Sequence, residues 1–140
     1  MLRIKIKKIS PAAVLPKQGT PGSAGFDLTA TGMETIDMFH TRYRTGIAVE
    51  IPEGHVGLIF PRSSCYKNRM VLTNCVGVID SDYRGEICAV FLGSFVDLQY
   101  KVGDRIAQMI ILPIPAVKYQ FAEELSTTER GTGGYGSTGK

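Results

Sequence analysis

Residues 46–61 read Gly-Ile-Ala-Val-Glu-Ile-Pro-Glu-Gly-His-Val-Gly-Leu-Ile-Phe-Pro and contain two short apolar runs separated by Pro-Glu-Gly. Both runs are rich in Val and Ile, and the proline and glycine between them are typical turn residues. Pro52 and Pro61 exclude one long helix through this stretch, because proline lacks the N–H that a helix interior needs. The stretch therefore predicts two consecutive β-strands.

The same alternation of short apolar segments and turn residues extends over the rest of the chain. At the amino end, Leu2, Ile4 and Ile6 alternate with basic residues, which predicts a strand over residues 2–6 whose charged face protects a sheet edge. Further segments of this kind cover residues 26–30, 70–72, 87–91, 105–112 and 117–121. Their number and spacing favour an all-β fold, a compact barrel of the jelly-roll type.

One segment differs from the strand pattern. Residues 61–69 read Pro-Arg-Ser-Ser-Cys-Tyr-Lys-Asn-Arg, and serine is a preferred residue at the start of a helix. We therefore expect one short helix of one or two turns here, capped by a serine.

The composition describes one globular domain followed by a polar tail. The chain has 140 residues and a mass of 15.3 kDa, and 44% of its residues are hydrophobic, which argues against disorder over the whole chain. Eleven of the last fifteen residues are Gly, Ser or Thr. We therefore predict a β domain over residues 1–125 and a flexible glycine-rich arm over residues 126–140.

Charge and cysteine content limit the function classes. A net charge of +3 is too small to predict nucleic-acid binding, although it suits a small anionic ligand if the basic groups converge. The three cysteines form no C-x-x-C pair, which favours free thiols and a reducing compartment. The chain shows no secretion signal and no run approaching the ~20 apolar residues of a membrane span, so we expect a cytoplasmic protein, or one inside a host cell if it is viral or phage-encoded, without a membrane partner. His40, His55 and the cysteines lack zinc-ligand spacing.

The arm matches two nucleotide-binding patterns by letter. Residues 131–136 fit G-x-G-x-x-G, and residues 134–140 fit G-x-x-x-x-G-K. The folds that use these patterns need a strand before the motif and a helix after it, and we expect neither fold here. The chemistry is still that of a phosphate-binding segment, because backbone N–H groups, hydroxyls and the Arg130 guanidinium can wrap a phosphate.

Four clusters of acid, arginine and glycine precede the arm. Singly, each is compatible with a turn or a surface ion pair. They are Ala24-Gly25-Phe26-Asp27-Leu28, Pro61-Arg62-Ser63-Ser64, Gly77-Val78-Ile79-Asp80-Ser81-Asp82-Tyr83-Arg84-Gly85 and Gly103-Asp104-Arg105-Ile106-Ala107-Gln108. In this order, and together with the arm, they resemble the five motifs of the trimeric deoxyuridine triphosphatase (dUTPase) family over residues 24–139.

This resemblance implies a fold, a reaction and an assembly. The family fold is an all-β, distorted jelly-roll-like barrel (a β-clip) with one short helix, and three copies form a homotrimer with active sites at the subunit interfaces. The reaction would convert dUTP and water to dUMP and pyrophosphate, which limits uracil incorporation into DNA and supplies dUMP for dTMP synthesis. The expected partners are dUTP and further copies of the chain, and Mg²⁺ would bind mainly through the substrate triphosphate and water.

The resemblance also implies roles for residues near the nucleoside. Asp80 would position and activate the attacking water, and Gln108 would lie near that water and the α-phosphate. Tyr83 would lie under the deoxyribose and exclude a 2′-hydroxyl. Asn74 and the backbone around Val78 would recognise uracil, because an amide can both donate and accept a hydrogen bond.

The remaining matched positions concern the phosphates. Arg62, Ser63 and Ser64 would bind phosphate oxygens, and Asp27 would support the Mg²⁺ shell or neighbouring charged groups, through water. In the arm, Tyr135 would stack on uracil in place of the family's usual phenylalanine. Arg130, Ser137 and Thr138 would hold the distal phosphates, and Gly136 would also contact the substrate. Arg105 and Asp104 are interpreted as structural, holding their strand or an interface.

One departure from the family pattern keeps alternatives open. The second family motif commonly continues Arg-Ser-Gly-Leu-Ala, whereas residues 62–66 read Arg-Ser-Ser-Cys-Tyr, so the segment behind the phosphate-binding residues must pack differently. Arg-Ser-Ser also resembles the dCTP deaminases, which share the subunit fold. Their catalytic glutamate has no clear counterpart here, because Glu86 directly follows Asp-Tyr-Arg-Gly and is in the wrong context. A non-catalytic trimeric β module that binds or regulates is the third interpretation.

Overall fold

We describe the fold from a computed structural model, which describes residues 1–93 and 99–136. Within these residues the chain forms eleven short β-strands and one six-residue 3-10 helix, Ser63–Asn68. The strands are β1 Lys5–Lys8, β2 Lys17–Gln18, β3 Phe26–Thr29, β4 Gly32–Thr35, β5 His40–Arg44, β6 Ile47–Glu50, β7 His55–Pro61, β8 Val71–Leu72, β9 Gly77–Ile79, β10 Cys88–Leu92 and β11 Arg105–Pro113.

The strands form antiparallel sheets, which confirms the predicted all-β jelly-roll-like fold. The largest sheet has the order β2-β3-β11-β7-β9, the second has the order β4-β5-β10-β8, and β1 pairs with β6. β11 and β7 share the longest ladder, which runs from Ala107 opposite Pro61 to Pro113 opposite His55. This pair of central strands fixes the positions of the residues that precede and follow each of them.

The core lies between the two larger sheets. Tyr43, Phe91 and Tyr100 meet edge to face, with ring centroids 5.4–6.0 Å apart, and the Tyr43 hydroxyl donates a 3.2 Å hydrogen bond to the Tyr100 carbonyl. Aliphatic side chains surround this aromatic group. They include Leu28, Ile47, Val49, Ile51, Ile59, Ile87, Ile106 and Met109.

Two predicted strands differ in the structure. The first strand covers Lys5–Lys8 rather than residues 2–6, because its extent is set by the partner strand β6, and Lys5 Nζ lies 2.8 Å from Glu50 Oε1. No strand forms over residues 117–121, although Val117, Tyr119 and Phe121 have the period of a strand and are exposed. The prediction of a strand there is wrong for this chain alone. Alternation of apolar and polar residues indicates a segment with one apolar face, but it does not show that a second strand pairs with that segment.

The short helix is present, but it begins differently from the prediction. Ser63–Asn68 is a 3-10 helix, and Arg62 takes the position before its first residue without a side-chain capping hydrogen bond. The predicted serine cap is therefore wrong. Arg69 ends the helix in the left-handed conformation (φ 48°).

The chain after β11 makes few contacts with the barrel in the described region. Ile114 N–H donates to Gly54 O at 2.8 Å, and beyond this anchor most side chains up to residue 136 are exposed. In the arm, Arg130 Nε donates to Gly133 O at 2.9 Å and closes a local turn. Across residues 1–93 and 99–136, none of the helical structure has the length and apolar character needed to cross a bilayer.

Candidate active site

Asp27 lies between two arginines at one end of the large sheet. Its Oδ1 accepts a 2.9 Å hydrogen bond from Arg62 Nε, and its Oδ2 accepts a 3.0 Å bond from Arg105 Nη1. The Asp27 side chain is 16% exposed, whereas that of Arg105 is 57% exposed. One carboxylate thus neutralises one of two guanidinium charges, and the cluster Asp27–Arg62–Arg105 keeps a net positive charge that suits an anion.

Gln108 joins this cluster from the middle of β11. It pairs with Asp27 across one edge of the strand and with Phe60 across the other, and its Nε2 donates to Pro61 O at 3.1 Å. Gly25 makes room for its amide, because a Cβ at position 25 would lie 2.3 Å from Gln108 Oε1. Two predicted site residues from distant motifs, Asp27 and Gln108, are therefore neighbours.

The 3-10 helix follows Arg62 directly. Ser63 is exposed and Ser64 is half-buried, and the first turn contains no acidic residue. The N–H of Cys65 donates a 3.0 Å hydrogen bond to Arg62 O. Ser63 and Ser64 therefore follow Arg62 in a turn without a carboxylate of its own, and hydroxyls in such a turn are suitable donors to phosphate oxygens.

The hairpin that carries Asn74 is open between its two strands. β8 pairs with β10, whereas β9 pairs with β7, so the two arms of the hairpin belong to different sheets. Between them lies a cavity of about 350 Å³. Its lining residues are Ile59, Leu72, Thr73, Asn74, Gly77, Val78, Ile79, Cys88, Ala89 and Val90.

The hairpin turn places an amide against this cavity. Cys75 has a φ of 59°, and Val76 N–H donates to Asn74 O, which makes the turn tight. A Cβ at Gly77 would lie 3.1 Å from Ile59 Cβ and 3.6 Å from Asn74 Nδ2, so the backbone passes close to both side chains. Burial, together with the Glu86 carboxylate, raises the pKa of the Cys88 thiol in the opposite wall.

Asp80 and Tyr83 follow β9 in one turn. Tyr83 N–H donates to Asp80 O at 3.2 Å, and the half-exposed Tyr83 ring packs on Gly85, where a Cβ would lie 2.3 Å from the hydroxyl. Asp80 lines a second cavity of about 760 Å³ together with Glu53, His55, Asp82 and Arg84. Asp80 thus lines a cavity separate from that of the hairpin, and it directly follows Ile79, which lines the hairpin cavity.

Asp80 and Arg62 lie at opposite ends of β7 in one chain. The ladder ends where Ile79 pairs with Gly57, so Asp80 follows at the level of Val56, while Arg62 follows the other end of the strand at Pro61. Six residues of strand separate positions 56 and 62, which corresponds to about 20 Å. One chain therefore brings Asp27, Arg62 and Gln108 together, and places Asn74, Val78, Asp80 and Tyr83 along a separate hairpin.

The hydrogen bonds of the arm, within residues 126–136, are made inside the arm itself. Tyr135 is fully exposed with a φ of 50°, and Gly136 has a φ of 86°. Arg130 uses its Nε within the arm itself. Ser137 and Thr138, which the sequence assigns to the phosphates, lie outside the described residues.

The structure shows the hydrogen-bond partners of two residues, Glu86 and Arg105, which could not be predicted from the sequence. Glu86 is occupied on both oxygens, since Oε1 accepts from Gly46 N–H at 2.8 Å and Oε2 from Arg44 Nη1 at 3.2 Å. Its side chain is only 15% exposed, so it is a structural anchor and a poor candidate for the deaminase glutamate. Arg105, expected to hold its strand, does so through Asp27, 78 residues away in sequence.

No metal cage stands out in the described part of the chain. Within residues 1–93 and 99–136, no group of three or more His, Cys, Asp or Glu side chains is arranged to hold an ion. Asp27, the residue that the resemblance places near Mg²⁺, has both oxygens engaged by arginines. The charge near it is that of an anion-binding site.

A β-barrel with an open hairpin cavity, a carboxylate beside it and a cationic cluster at the sheet end defines a phosphate-handling nucleotide enzyme. The comparisons make this class specific: a family model described as dUTPase matches residues 12–139. The chain belongs to the dUTPase family.

Individual relatives agree over nearly the full length. The deoxyuridine 5'-triphosphate nucleotidohydrolase of Rhodococcus erythropolis is 40% identical, with 99% of this chain and 87% of that protein covered. The protein of the same name from Ictalurid herpesvirus 1 is 43% identical, with 90% of this chain and 65% of that protein covered. Among solved structures, a Staphylococcus bacteriophage 80alpha dUTPase mutant with dUpNHpp superposes with a TM-score of 0.88 at 26% identity, covering 100% of both chains.

These matches decide between the interpretations left open by the sequence. The predicted family and the predicted jelly-roll-like fold are confirmed. The dCTP deaminase and the non-catalytic binding module are not favoured, in agreement with the occupied carboxylate of Glu86.

Proposed function

We propose that this chain hydrolyses dUTP to dUMP and pyrophosphate, as a member of the dUTPase family, in active sites shared between the subunits of a homotrimer. The observation that carries the proposal is the open hairpin: its cavity of about 350 Å³ is lined by Asn74, Val78 and Ile79, and Asp80 follows Ile79 directly in the chain. The reaction removes dUTP from the pool available to DNA synthesis and forms dUMP for dTMP synthesis.

Uracil recognition would take place between the two arms of the hairpin. The Asn74 amide can donate one hydrogen bond and accept another, which matches the imide edge of uracil. The backbone around Val78 supplies further donors and acceptors, since this strand pairs with β7 on one side only and borders the cavity on the other. A tight hairpin would also exclude the methyl group of thymine sterically.

Sugar recognition would depend on Tyr83. Its ring is fixed on one side by Gly85 and at its tip by a 3.2 Å hydrogen bond from the hydroxyl to Glu86 O. A deoxyribose stacked on the exposed face of this ring has no space for a 2′-hydroxyl, so ribonucleotides are excluded by contact.

The hydrolytic step would be directed by Asp80. Its carboxylate accepts a hydrogen bond from a water molecule, orients it toward the α-phosphorus and takes up its proton as the new P–O bond forms. The bond between the α-phosphorus and the bridging oxygen breaks, and pyrophosphate leaves with that electron pair. Gln108 would hold the α-phosphate and the water in line.

Phosphate binding would combine three segments. Arg62 has its Nε on Asp27 and its Nη1 3.4 Å from Arg105 O, so its Nη2 would reach the phosphate oxygens, and Ser63 and Ser64 would add hydroxyls. The arm would close last, with Tyr135 stacked on uracil and Arg130, Gly136, Ser137 and Thr138 around the distal phosphates. Closure would exclude water other than the attacking molecule.

Magnesium fits this site as a companion of the triphosphate. The described residues form no cage of acidic ligands, and Mg²⁺ retains water readily, so phosphate oxygens and water would be its main ligands, with Asp27 in the surrounding shell. When bound, Mg²⁺ would neutralise charge on the phosphates. The protein's own cations, Arg62 and Arg105, supply the remaining compensation.

A homotrimer would bring the hairpin residues and the arginine cluster together, although they lie far apart within one chain. The roughly 20 Å between Asp80 and Arg62 along β7 is too long for both to act at one α-phosphate from the same chain. A symmetric trimer would place the hairpin of one copy against the arginine cluster of the next, three times over. The exposed segment 114–136 is free to extend toward another copy.

A nucleotide panel tests the reaction. Purified protein is incubated with dUTP, dCTP, dTTP or UTP and Mg²⁺, and the products are separated. Pyrophosphate and dUMP from dUTP alone are expected. Ammonia from dCTP would instead indicate a deaminase, and no turnover of any nucleotide would indicate a binding module.

A mixing experiment tests the shared site. Asp80→Asn and Arg62→Ala are each expected to abolish most turnover, by at least about 10²-fold for the loss of the base. Refolding the two variants together at equal amounts should restore about a quarter of wild-type activity, because half of the hairpins and half of the arginine clusters are intact and they combine at random. Sites built within one chain would give no recovery, and a monomer in solution would contradict the assembly.

A further inference from the structure

Residues 80–85 carry both Asp80 and Tyr83, yet they lie between two firmly held parts of the chain. Before them, β9 ends its ladder with β7 at Ile79. After them, the Glu86 carboxylate accepts the Gly46 N–H at 2.8 Å, and Ile87 N–H donates to Ile47 O at 2.8 Å. The turn between these two parts is stabilised by hydrogen bonds among residues 80–86.

Arg84 makes two of those contacts with a single nitrogen. Its Nη1 donates to Ser81 O at 2.6 Å and to Tyr83 O at 2.9 Å. The other hydrogen bonds of the turn are Tyr83 N–H to Asp80 O and Tyr83 Oη to Glu86 O, each at 3.2 Å. The bonds from Arg84 are the shorter ones, and they are charge-assisted, which makes them the stronger constraint on the turn.

We propose that Arg84 is a positioning residue for the hydrolysis of dUTP, bracing the turn so that Asp80 and Tyr83 keep one fixed relation to each other. This inference rests on the proposed function, and it assigns a role to an arginine that needs no contact with substrate. Carbonyls on both sides of Asp82 are tied to one point, so the turn cannot open without breaking both bonds. Since displacement of about 1 Å at a reacting group can cost 10²-fold in rate, a loose turn would affect both residues together.

The charge of Arg84 offers a competing explanation that the experiment must separate. Arg84 lines the same cavity as Asp80, Asp82 and Glu50, so its loss also removes a cation near the base. A purely electrostatic role would change the chemical step and leave the discrimination between deoxyribose and ribose intact. A bracing role changes both, because Tyr83 is held through its own carbonyl.

Arg84→Met tests the brace, since it keeps the length of the side chain and removes charge and donors. We expect kcat for dUTP to fall at least about tenfold, and the preference for dUTP over UTP in kcat/KM to fall by a similar factor, with the trimer and Tm retained. Arg84→Lys should recover part of both, because an ammonium restores a charged donor without the geometry of the guanidinium. Arg42→Met is the matched control, since Arg42 pairs with Glu34 at 3.2 Å on another sheet, and it should leave both quantities unchanged.

The outcomes separate cleanly. An active wild-type protein whose Arg84→Met variant keeps its preference for dUTP overturns this inference and leaves the proposed function standing. The same holds if Arg84→Met loses rate only in proportion to unfolded protein, measured by active-site titration. A wild-type protein that does not cleave dUTP overturns the proposed function, and this inference with it.

Discussion

Gly85 lies against the ring of Tyr83 so closely that a Cβ at position 85 would come within 2.3 Å of the Tyr83 hydroxyl and 2.5 Å of Cζ. The Tyr83 ring therefore packs directly on the backbone of Gly85. Because Tyr83 is 43% exposed, its ring can tilt toward solvent when a side chain is added at position 85, and the fold can be retained. The position of the Tyr83 ring thus depends on the absence of a methyl group at position 85.

Gly85→Ala should impair substrate selection more than stability. We expect the displaced Tyr83 ring to lower kcat/KM for dUTP by about 10²-fold and to weaken the exclusion of UTP. The measurement is kcat/KM for both nucleotides, beside a thermal melt. Gly22→Ala is the matched control, since a Cβ there meets nothing within 4 Å, and unchanged discrimination in Gly85→Ala would contradict the assigned role of Tyr83.

Gly25→Ala should act on Gln108 in the same manner. The new Cβ would lie 2.3 Å from Gln108 Oε1 and 3.1 Å from its Cβ, so the amide must leave its 3.1 Å hydrogen bond to Pro61 O. We expect kcat to fall about as far as in Gln108→Ala, and the double variant to add little, because the two changes remove one interaction. Additive losses in this double-mutant cycle would show that Gly25 acts elsewhere.

Alkaline pH should destabilise the fold through the core tyrosines. Burial raises the pKa of Tyr43 to about 12 from its usual 10, and burial also raises the pKa of Tyr100. A folded-state pKa above the unfolded value means that the contribution of Tyr43 is complete below pH 10 and is lost as the pH rises from 10 to about 12.

Denaturant titrations at pH 8 to 12 check this sign. Tyr43→Phe should lower the free energy of unfolding at pH 8 by about 1 kcal/mol, for the lost hydrogen bond to Tyr100 O, and should flatten its fall above pH 10. Tyr66→Phe, at a residue that is 70% exposed, should leave the profile unchanged. An equally steep fall in Tyr43→Phe would place the alkaline transition on other groups.

Strands that are bounded by proline or glycine could be predicted from the sequence. Features that depend on a residue or strand far away in the chain could not. The segments around Pro52 were placed correctly because proline and glycine mark turns wherever the chain goes. The strand expected over residues 117–121 did not form, since its alternation has no ladder partner in the described chain. The helix formed, but as a 3-10 turn led by Arg62, whose guanidinium is held by Asp27 and not by a local cap.

The candidate site shows the same limit. Motif order placed Asp27, Arg62 and Gln108 in one function, yet no periodicity could reveal that Asp27 bridges arginines 35 and 78 residues away. The separation of Asp80 from Arg62 by the length of β7 is likewise a property of strand register, which only the three-dimensional fold supplies.

Removing the arm should separate catalysis from folding. Residues 126–136 contribute no side chain to the buried core, and Tyr135 is fully exposed, so a chain ending at residue 125 should keep its Tm within a few degrees. Turnover of dUTP should fall by at least about 10²-fold, because the triphosphate would no longer be enclosed. Tyr135→Phe should retain turnover and Tyr135→Ala should raise KM, which assigns the effect to stacking on uracil. If the shortened chain unfolds, or stays fully active, the arm is not a closing segment.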